Sequence, residues 1–310
     1  MDSAIVVAIC LAIPLGFSYS GSGKVGLTTK RGLTNSTKCT AHSIHWRRRL
    51  QHASCGLVIA SGYKWVLRDA WTVVAVLCFC CTGFFGFHVL RCRMQALNEV
   101  YIRTFGPLLR PHELRGLPGA FWFLLGTAAA VAIFPRDIAL QSIVHLSVGD
   151  PVASIAGVSL GDKNRVLPAG KSLAGSLAAF FACATSTLLL FGWCREGATL
   201  AENPLSLGLE GSNGSNKLLV FSNINACNLG CGDDRHLCTD SRRFLLFTSF
   251  LGGLSGATGE LLPLRMDDNL SMPIVSGAVF LTLYRWLIPS LFCNQAGFEQ
   301  LEEARFSPVQ

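Results

Sequence analysis

The sequence GDPVASIAGVSLGDKNRVLPAGKSLAGS, residues 149–176, is a polar stretch that lies between two apolar segments of the chain. Several ionisable residues stand in it among many glycines and serines: Asp150, Asp162, Lys163, Arg165 and Lys171. Ionisable residues embedded in membrane-type sequence are costly, so they indicate a functional site. Small residues let backbone N–H groups approach a phosphate, and Lys or Arg side chains neutralise its charge. The stretch therefore suits an anionic ligand, although a polar loop between two membrane helices explains its composition equally well.

The composition of the 310-residue chain is that of a membrane protein. Half of the residues are hydrophobic, only 15% are charged, and the mean hydropathy is +0.43. The net charge of +7 is spread over short basic clusters. That distribution favours anionic headgroups or a phosphorylated substrate as partners, and it argues against nucleic acid. Many of the thirteen cysteines lie in apolar runs, which indicates packing rather than a disulfide framework.

Apolar runs separated by charged connectors predict an all-α integral membrane protein, a polytopic helical bundle with about six or seven membrane segments. The clearest predicted spans are residues 71–90, 117–135, 173–193, 244–264 and 272–292. A further apolar run, 138–148, leads directly into Gly149, Asp150 and Pro151. Pro breaks helices and Gly loosens them, so we expect Asp150 at an unwound point that lines a polar cavity.

Composition also divides the chain into a leader, two membrane halves, an insert between these halves and a tail. The leader is residues 1–45 and the tail is residues 295–310. The membrane halves are residues 46–194 and 244–294, and the insert between them is residues 195–243. The leader is expected to contain a short apolar segment, residues 4–17, followed by a disordered linker. In the polar insert, CNLGCGDDRHLC at 227–238 holds Cys and His, which are zinc ligands. Its spacing matches no known finger, so a zinc site is the less favoured hypothesis.

Acidic residues recur beside the apolar segments. Carboxylate and carboxamide oxygens are the ligands that suit Mg²⁺, which shares a few of them with substrate phosphates. The predicted metal ligands of this kind are Asp150, Asp267, Asp268 and Asn269. Glu113 and Glu260 are further acidic positions in or beside apolar sequence. A turn or a helix N-cap before Leu270 is an alternative explanation for the Asp-Asp-Asn triplet.

A basic cluster precedes the apolar run that begins at Leu50. On a helix, Arg48, Arg49 and His52 share one surface, as a binding site requires. The alternative, which the arginines by themselves favour, is a positively charged flank that sets membrane topology.

Five motifs follow one another in the order RRLQH (48–52), LRPHELRGLPGAFWFLLG (109–126), FPRDIALQSIVHLSVGDPVASIAG (134–157), GKSLAGSLA (170–178) and ELLPLRMDDNLSMPIVSG (260–277). In this order and at this spacing they resemble the polyprenol-kinase and CTP-dependent diacylglycerol-kinase branch of the CTP-transferase membrane superfamily. The stretch LNEVYIRTFGPLLRPHE at 97–113, followed by FWFLLG, is most similar to the diacylglycerol kinases. Pro151 and the insert depart from the family pattern.

The resemblance implies an integral membrane kinase that transfers the γ-phosphate of CTP to a lipid hydroxyl, with Mg²⁺, in the endoplasmic reticulum or nuclear envelope membrane. The catalytic candidates that it implies are Asp150, Arg48, Arg49, His52, Asp267, Asp268 and Glu113. The residues that it implies for nucleotide binding are Asp150, Ser154, Gly157, Arg165, Gly170, Lys171, Ser172 and Gly175. The base that takes the lipid proton stays open between His52, Glu113 and Asp268.

Three other functions are alternatives to this one. A dolichol or polyprenol kinase would use the same motifs on another lipid. A phosphatidate cytidylyltransferase of the same superfamily would carry a C-terminal signature that the chain lacks. A transporter would also place acids in broken membrane helices, but the two halves of this chain do not repeat one pattern.

Overall fold

The computed structural model describes residues 36–67, 69–106, 109–110, 113–160, 171–198, 236–262, 264 and 266–292. Helices form nearly all of this part, and it contains no β-strand, so the predicted all-α class is confirmed. Several predictions fall outside the described residues. They concern the apolar segment 4–17, the tail, the Cys and His side chains of the insert, and the predicted nucleotide ligands Arg165 and Gly170.

The helices are, in chain order, α1 (Ser36–Trp65), α2 (Ala70–Arg93), α3 (Gln95–Phe105), α4 (Gly119–Ile133), α5 (Arg136–Val144), α6 (Asp150–Ser159), α7 (Leu173–Ala198), α8 (His236–Leu261) and α9 (Asp268–Phe292). A π-helical turn, His145–Gly149, joins α5 to α6. Helix α1 begins inside the stretch that was expected to be a linker.

Four helical stretches of the described chain are long and apolar enough to cross a membrane: Ala70–Arg93, Arg136–Ser159, Leu173–Gly192 and Asp268–Ile288. Helix α4 is apolar but has only 15 residues. Helix α8, which was expected to span the membrane over 244–264, is not among the four. The prediction of an integral membrane protein agrees with these helices, whereas the count of six or seven segments is not confirmed.

Asp150 does not lie at an unwound point, contrary to the sequence prediction. Its backbone is α-helical, with φ −59° and ψ −50°, and the helix continues through Pro151 to Ser159. Pro151 has no N–H to donate to an α-helical bond, but the π-helical turn directly before it already departs from the regular bonding pattern. The chain therefore keeps its direction, and the local irregularity is a wider turn of helix.

Helix α1 lies antiparallel to the continuous stretch from α5 to α6. At one end, Arg136 donates hydrogen bonds to the carbonyls of Tyr63 and Lys64, at 2.8 and 3.1 Å. At the other end, Arg49 of α1 binds Ser154 of α6. This arrangement puts the Arg48–His52 motif and Asp150 at the same end of the bundle.

Apolar side chains from α5, the π-helical turn and α9 form the centre of the bundle. Ile138, Ile143, Leu146, Met272 and Phe280 are all nearly inaccessible to solvent. Small residues bring the helices close together, as is common in membrane bundles. At Gly253, a Cβ would lie 2.8 Å from the carbonyl oxygen of Phe180, so α7 and α8 pack closely there.

Candidate functional site

Arg48 of α1 binds Glu113, which lies in the connection between α3 and α4. The Arg48 Nη1 and Nη2 atoms donate to Glu113 Oε2 and Oε1 at 2.8 and 3.0 Å. Two parallel bonds of this kind fix the orientation of both side chains. The Glu113 side chain is almost fully buried, while that of Arg48 remains partly exposed. Arg48 therefore does more than mark a positively charged flank.

Glu113 also fixes the backbone on both sides of itself. Its carboxylate accepts hydrogen bonds from the Arg110 N–H at 2.7 Å and the Gly119 N–H at 3.0 Å. Burial raises the pKa of the Glu113 carboxyl, but the hydrogen bonds and charges of Arg48 and Arg110 lower it overall below its usual value. Glu113 is therefore ionised and fully engaged.

Gly119 is the point where α4, Glu113 and α9 meet. The Asn269 Nδ2 atom donates to the Gly119 carbonyl at 3.2 Å. A Cβ at position 119 would lie 2.8 Å from both Arg48 Nη2 and Glu113 Oε1, and 3.0 Å from Asn269 Nδ2. Only glycine leaves room for this convergence without a shift of the neighbouring atoms.

Arg49 and His52 face α6. The Arg49 Nη2 atom donates to Ser154 Oγ at 2.9 Å and to the Ser154 carbonyl at 3.2 Å. The His52 Nε2 atom lies 3.8 Å from Asp150 Oδ2, and it is buried without a hydrogen-bond partner. The His52 ring contacts the edge of Phe123 on α4, with centroids 4.8 Å apart. Of the three residues that were predicted to share a helix surface, Arg48 thus contacts the loop before α4, whereas Arg49 and His52 face α6.

Lys171, directly before α7, links α8 to α9. Its ammonium group donates to Glu260 Oε1 at 3.1 Å and to Asp268 Oδ2 at 3.2 Å. Burial alone lowers the pKa of Lys171, but the two carboxylates raise it overall above its usual value. The second Glu260 oxygen, Oε2, is buried without a hydrogen-bond partner. The negative charge of Asp150 also acts on Glu260 and opposes its charge, which indicates that the two groups of charges lie near each other.

The Asp-Asp-Asn triplet divides between structural and site roles. Asp267 precedes α9, and its side chain accepts a hydrogen bond from the Asn269 N–H at 3.0 Å. Burial raises the pKa of the Asp267 carboxyl. The Asn269 side chain donates its hydrogen bond to the Gly119 carbonyl, and the Asp268 carboxylate accepts one from Lys171. The capping explanation thus describes Asp267, and Asp268 is the member of the triplet whose side chain binds Lys171.

Three of the residues that the resemblance implied for nucleotide binding have packing and capping contacts. The Ser172 Oγ atom accepts a hydrogen bond from the Gly175 N–H at 3.0 Å, at the start of α7. A Cβ at Gly157 would lie 2.7 Å from Ser172 Oγ, and one at Gly175 would lie 2.9 Å from the Ala153 carbonyl oxygen. These glycines let α6 and α7 approach each other closely beside Asp150.

Arg91, near the end of α2 and directly after the predicted span 71–90, supports the loop that carries Glu113. It is 2% exposed, and it donates to the carbonyls of Glu113, Leu114 and Gly116 at 3.3, 3.0 and 2.6 Å. It thereby holds the loop from which Glu113 reaches Arg48. A basic residue at a helix end is also the usual sign of a membrane boundary, so the sequence offers no signal that distinguishes this role.

The site is rich in oxygen donors but incomplete as a protein metal centre. Among the residues that the structure describes, no three Asp, Glu, His or Cys side chains come together closely enough to hold a metal ion. Mg²⁺ is usually held by one or two carboxylates together with substrate phosphates and water. Glu260 and Asp268, with the unpartnered Glu260 Oε2 atom, fit that partial donor set.

The chain is similar to three curated proteins named CTP-dependent diacylglycerol kinase 1. Identity to the Schizosaccharomyces pombe protein is 33% over 192 residues, which covers 62% of this chain and 72% of that protein. For the Saccharomyces cerevisiae protein it is 26% over 238 residues, 76% of this chain and 72% of the relative. For the Eremothecium gossypii protein it is 29% over 194 residues, 62% of this chain.

The matched region spans about half, 52%, of the length of the Eremothecium gossypii protein. No protein family model matches the chain. No solved structure is significantly similar to it.

Proposed function

Because this chain belongs to the family of CTP-dependent diacylglycerol kinases, we propose that it transfers the γ-phosphate of CTP to the free hydroxyl of diacylglycerol. The products are phosphatidate and CDP. The hydroxyl oxygen forms the new bond to phosphorus, the bond between the β-bridging oxygen and the γ-phosphorus breaks, and the hydroxyl proton passes to a base. The observation that carries the proposal is a set of charged groups at one end of the bundle: Arg49 and His52 face α6 beside Asp150, and the charge of Asp150 acts on Glu260, which Lys171 binds.

His52 is the base that the contacts favour among the three candidates. Glu113 is engaged by Arg48 and by two backbone N–H groups, and Asp268 is engaged by Lys171. The His52 Nε2 atom has no hydrogen-bond partner and lies close to Asp150, whose negative charge stabilises the imidazolium that proton transfer would form. A lipid hydroxyl that approaches the His52 Nε2 atom could donate a hydrogen bond to it.

Arg49 and Lys171 are the cations that we assign to the phosphates. Phosphoryl transfer depends on positioning and on stabilising charge, not on a protein nucleophile. The charge of Arg48 is already balanced by the buried Glu113, whereas Arg49 donates to the neutral groups of Ser154. Arg49 therefore has no carboxylate among its hydrogen-bond partners, although the charge of Asp150 acts on it, and we assign its guanidinium to the transferred group.

Mg²⁺ is part of this proposal, with Glu260 and Asp268 as the protein ligands that the donor set supports. When bound, the ion would neutralise charge on the CTP phosphates. Asp150 was predicted as a ligand from the sequence. The position of Asp150 beside His52 favours the stabilising role described above, and the charge of Asp150 also acts on Glu260, one of the two proposed ligands.

The lipid is assigned to an apolar cavity of about 720 Å³ between α1, the α5–α6 stretch and α7. Its lining is mostly aliphatic and aromatic, and includes Leu57, Val148, Val152, Phe181 and Ala182. Val148 and Val152 lie on either side of Asp150 in the sequence, so the cavity and the polar site share one helical stretch. An acyl chain has the chemistry that such a lining accepts. The proposed location, the endoplasmic reticulum or nuclear envelope membrane, is the one that the family resemblance implies.

The test is a product assay on purified protein in detergent micelles. CTP labelled at the γ-phosphate is supplied with Mg²⁺, and diacylglycerol, dolichol or phosphatidate is offered separately. We expect label in phosphatidate from diacylglycerol, and none with Asp150→Asn protein that is folded in the same micelles. Label in dolichyl phosphate would assign another lipid. Release of labelled pyrophosphate with phosphatidate would make the protein a cytidylyltransferase and overturn the proposal.

A further inference from the structure

The arrangement of Lys171, Glu260 and Asp268 has a consequence for how the site is loaded. One ammonium group binds one oxygen from each of two acids that come from different helices, α8 and α9. The two oxygens therefore converge on a single point, and the Lys171 nitrogen occupies it. No other described basic side chain has a hydrogen bond to either acid among the contacts of the site.

A divalent cation and the Lys171 ammonium cannot share these two oxygens. Mg²⁺ binds carboxylate oxygen at about 2.0–2.1 Å and demands a compact octahedral shell. The ammonium lies at 3.1 and 3.2 Å from the same atoms. An ion between the two acids would stand against a positive charge at contact distance, beside Glu260 and Lys171 side chains that are only 12% and 20% exposed and an Asp268 side chain that is 43% exposed.

The second oxygen of Glu260 is an acceptor that could still bind a cation. Glu260 Oε2 is buried and accepts no hydrogen bond, which is costly for a carboxylate. A tethered monovalent cation satisfies only one of the two oxygens. A divalent ion that displaced it would reach the acid with twice the charge.

We propose that Lys171 is an exchangeable counter-ion, which holds Glu260 and Asp268 together until the nucleotide draws its ammonium away and admits the divalent cation between them. This inference rests on the proposed function for the identity of the nucleotide, but the exchange itself is a property of three side chains. It makes Glu260 a metal ligand and Lys171 the residue that couples metal binding to phosphate binding.

The coupling follows from linkage. Phosphate oxygens that bind Lys171 release the two acids, so the metal binds more tightly in the presence of the nucleotide, and the nucleotide binds more tightly in the presence of the metal. In the protein without nucleotide, the tethered ammonium competes with the metal at a high effective concentration. Free metal alone should therefore bind weakly.

The experiment measures Mn²⁺ binding to the full-length protein in micelles by electron paramagnetic resonance, without CTP and without lipid. Lys171→Gln removes the competing charge and should tighten Mn²⁺ binding by about tenfold, within the range of typical coupling energies. Lys171→Arg keeps the charge and should bind Mn²⁺ as weakly as the wild type. Lys171→Gln combined with Glu260→Gln should lose the gain.

Lys64→Gln is the matched control. Lys64 is in the last turn of α1, at the end away from Arg48, Arg49 and His52, and its ammonium group lies over the Trp65 ring. It should leave Mn²⁺ affinity unchanged. Thermal unfolding of each variant in the same micelles shows which of them are folded and can be compared. Unchanged or weaker Mn²⁺ binding in folded Lys171→Gln protein would overturn the inference.

The outcome does not depend on the kinase assay. The wild type could phosphorylate diacylglycerol while Lys171→Gln fails to gain Mn²⁺ affinity. That result would support the proposed function and contradict the exchange. A gain in Mn²⁺ affinity together with no transfer from CTP would support the exchange and remove the proposed donor.

Discussion

Arg48 and Glu113 are joined by two parallel hydrogen bonds across 65 residues of sequence. This pair connects α1 to the loop before α4, and Glu113 continues the connection to the Arg110 and Gly119 backbones. The pair is therefore the frame that keeps the neighbouring Arg49 and His52 directed at α6.

Replacing Glu113 by Gln should destabilise the protein at neutral pH, by about 3 kcal/mol, because Arg48 loses the charge that balances it in a buried pair. The pKa of Glu113 in the folded protein lies below the ordinary value of 4.5. Its stabilising contribution is therefore complete above that value and is lost as the pH falls through the lower, folded pKa.

Thermal unfolding in micelles at a series of pH values checks this prediction. The difference between wild type and Glu113→Gln should be largest near pH 7 and should shrink in acid. A difference that stays constant or grows as the pH falls would contradict the assignment of an ionised Glu113.

Gly119→Ala should disturb the same frame by a single methyl group. The added carbon would lie 2.8 Å from both Arg48 Nη2 and Glu113 Oε1, and overpacking of this kind costs about 1–3 kcal/mol. We expect a lower melting temperature and at least about a tenfold loss of lipid phosphorylation, since the displaced atoms orient the site.

Gly83→Ala is the matched control for Gly119→Ala. Gly83 lies in the apolar helix α2, and a Cβ there would meet no atom within 4 Å. It should leave activity and melting temperature unchanged. Equal behaviour of the two alanine variants would show that the space at position 119 is unimportant.

Arg91→Gln should reduce activity and stability together. Without the guanidinium, three carbonyls of the loop around Glu113 lose their donor, and each buried acceptor left unpaired costs about 1–3 kcal/mol. Arg93 is exposed on the same helix end, so Arg93→Gln tests whether charge alone matters there. If both variants lost activity equally, Arg91 would be acting through membrane topology.

Ala182→Phe should fill part of the cavity that we assign to an acyl chain. We expect phosphorylation of long-chain diacylglycerol to fall, with a smaller effect on a short-chain substrate that needs less of the cavity. Ala278, exposed on α9, provides the control as Ala278→Phe. A loss that is independent of chain length would indicate that the substrate lies elsewhere.

Apolar periodicity and charged boundaries were sufficient to predict an all-helical membrane protein and to single out residues that the structure brings together. Arg48, Arg49 and His52 were grouped because they share a helix surface, which is a local property. Their partners come from distant segments, and nothing local to Glu113 or Ser154 indicates which basic residue each one binds. The order of the motifs supplied the family but not these pairings.

Two details of the structure could not be predicted from the sequence, each for a physical reason. Pro151 predicts a break, because the interior of an α-helix needs an N–H donor at each residue, but Pro151 lies in the first turn of α6, directly after the π-helical turn. Arg91 looks like any basic residue at the end of a span, and only tertiary packing reveals the carbonyls that it binds. The capping role of Asp267 was foreseeable as an alternative, since Asp and Asn favour helix starts.

The π-helical turn at His145–Gly149 also determines the rotational phase of α6 relative to α5. One residue added to or removed from a helix turns everything beyond it by about 100°, because an α-helix has 3.6 residues per turn. The side of α6 that carries Asp150 and Ser154 faces α1 only at the present chain length. The number of residues between Arg136 and Asp150 is therefore constrained, whichever side chains those residues carry.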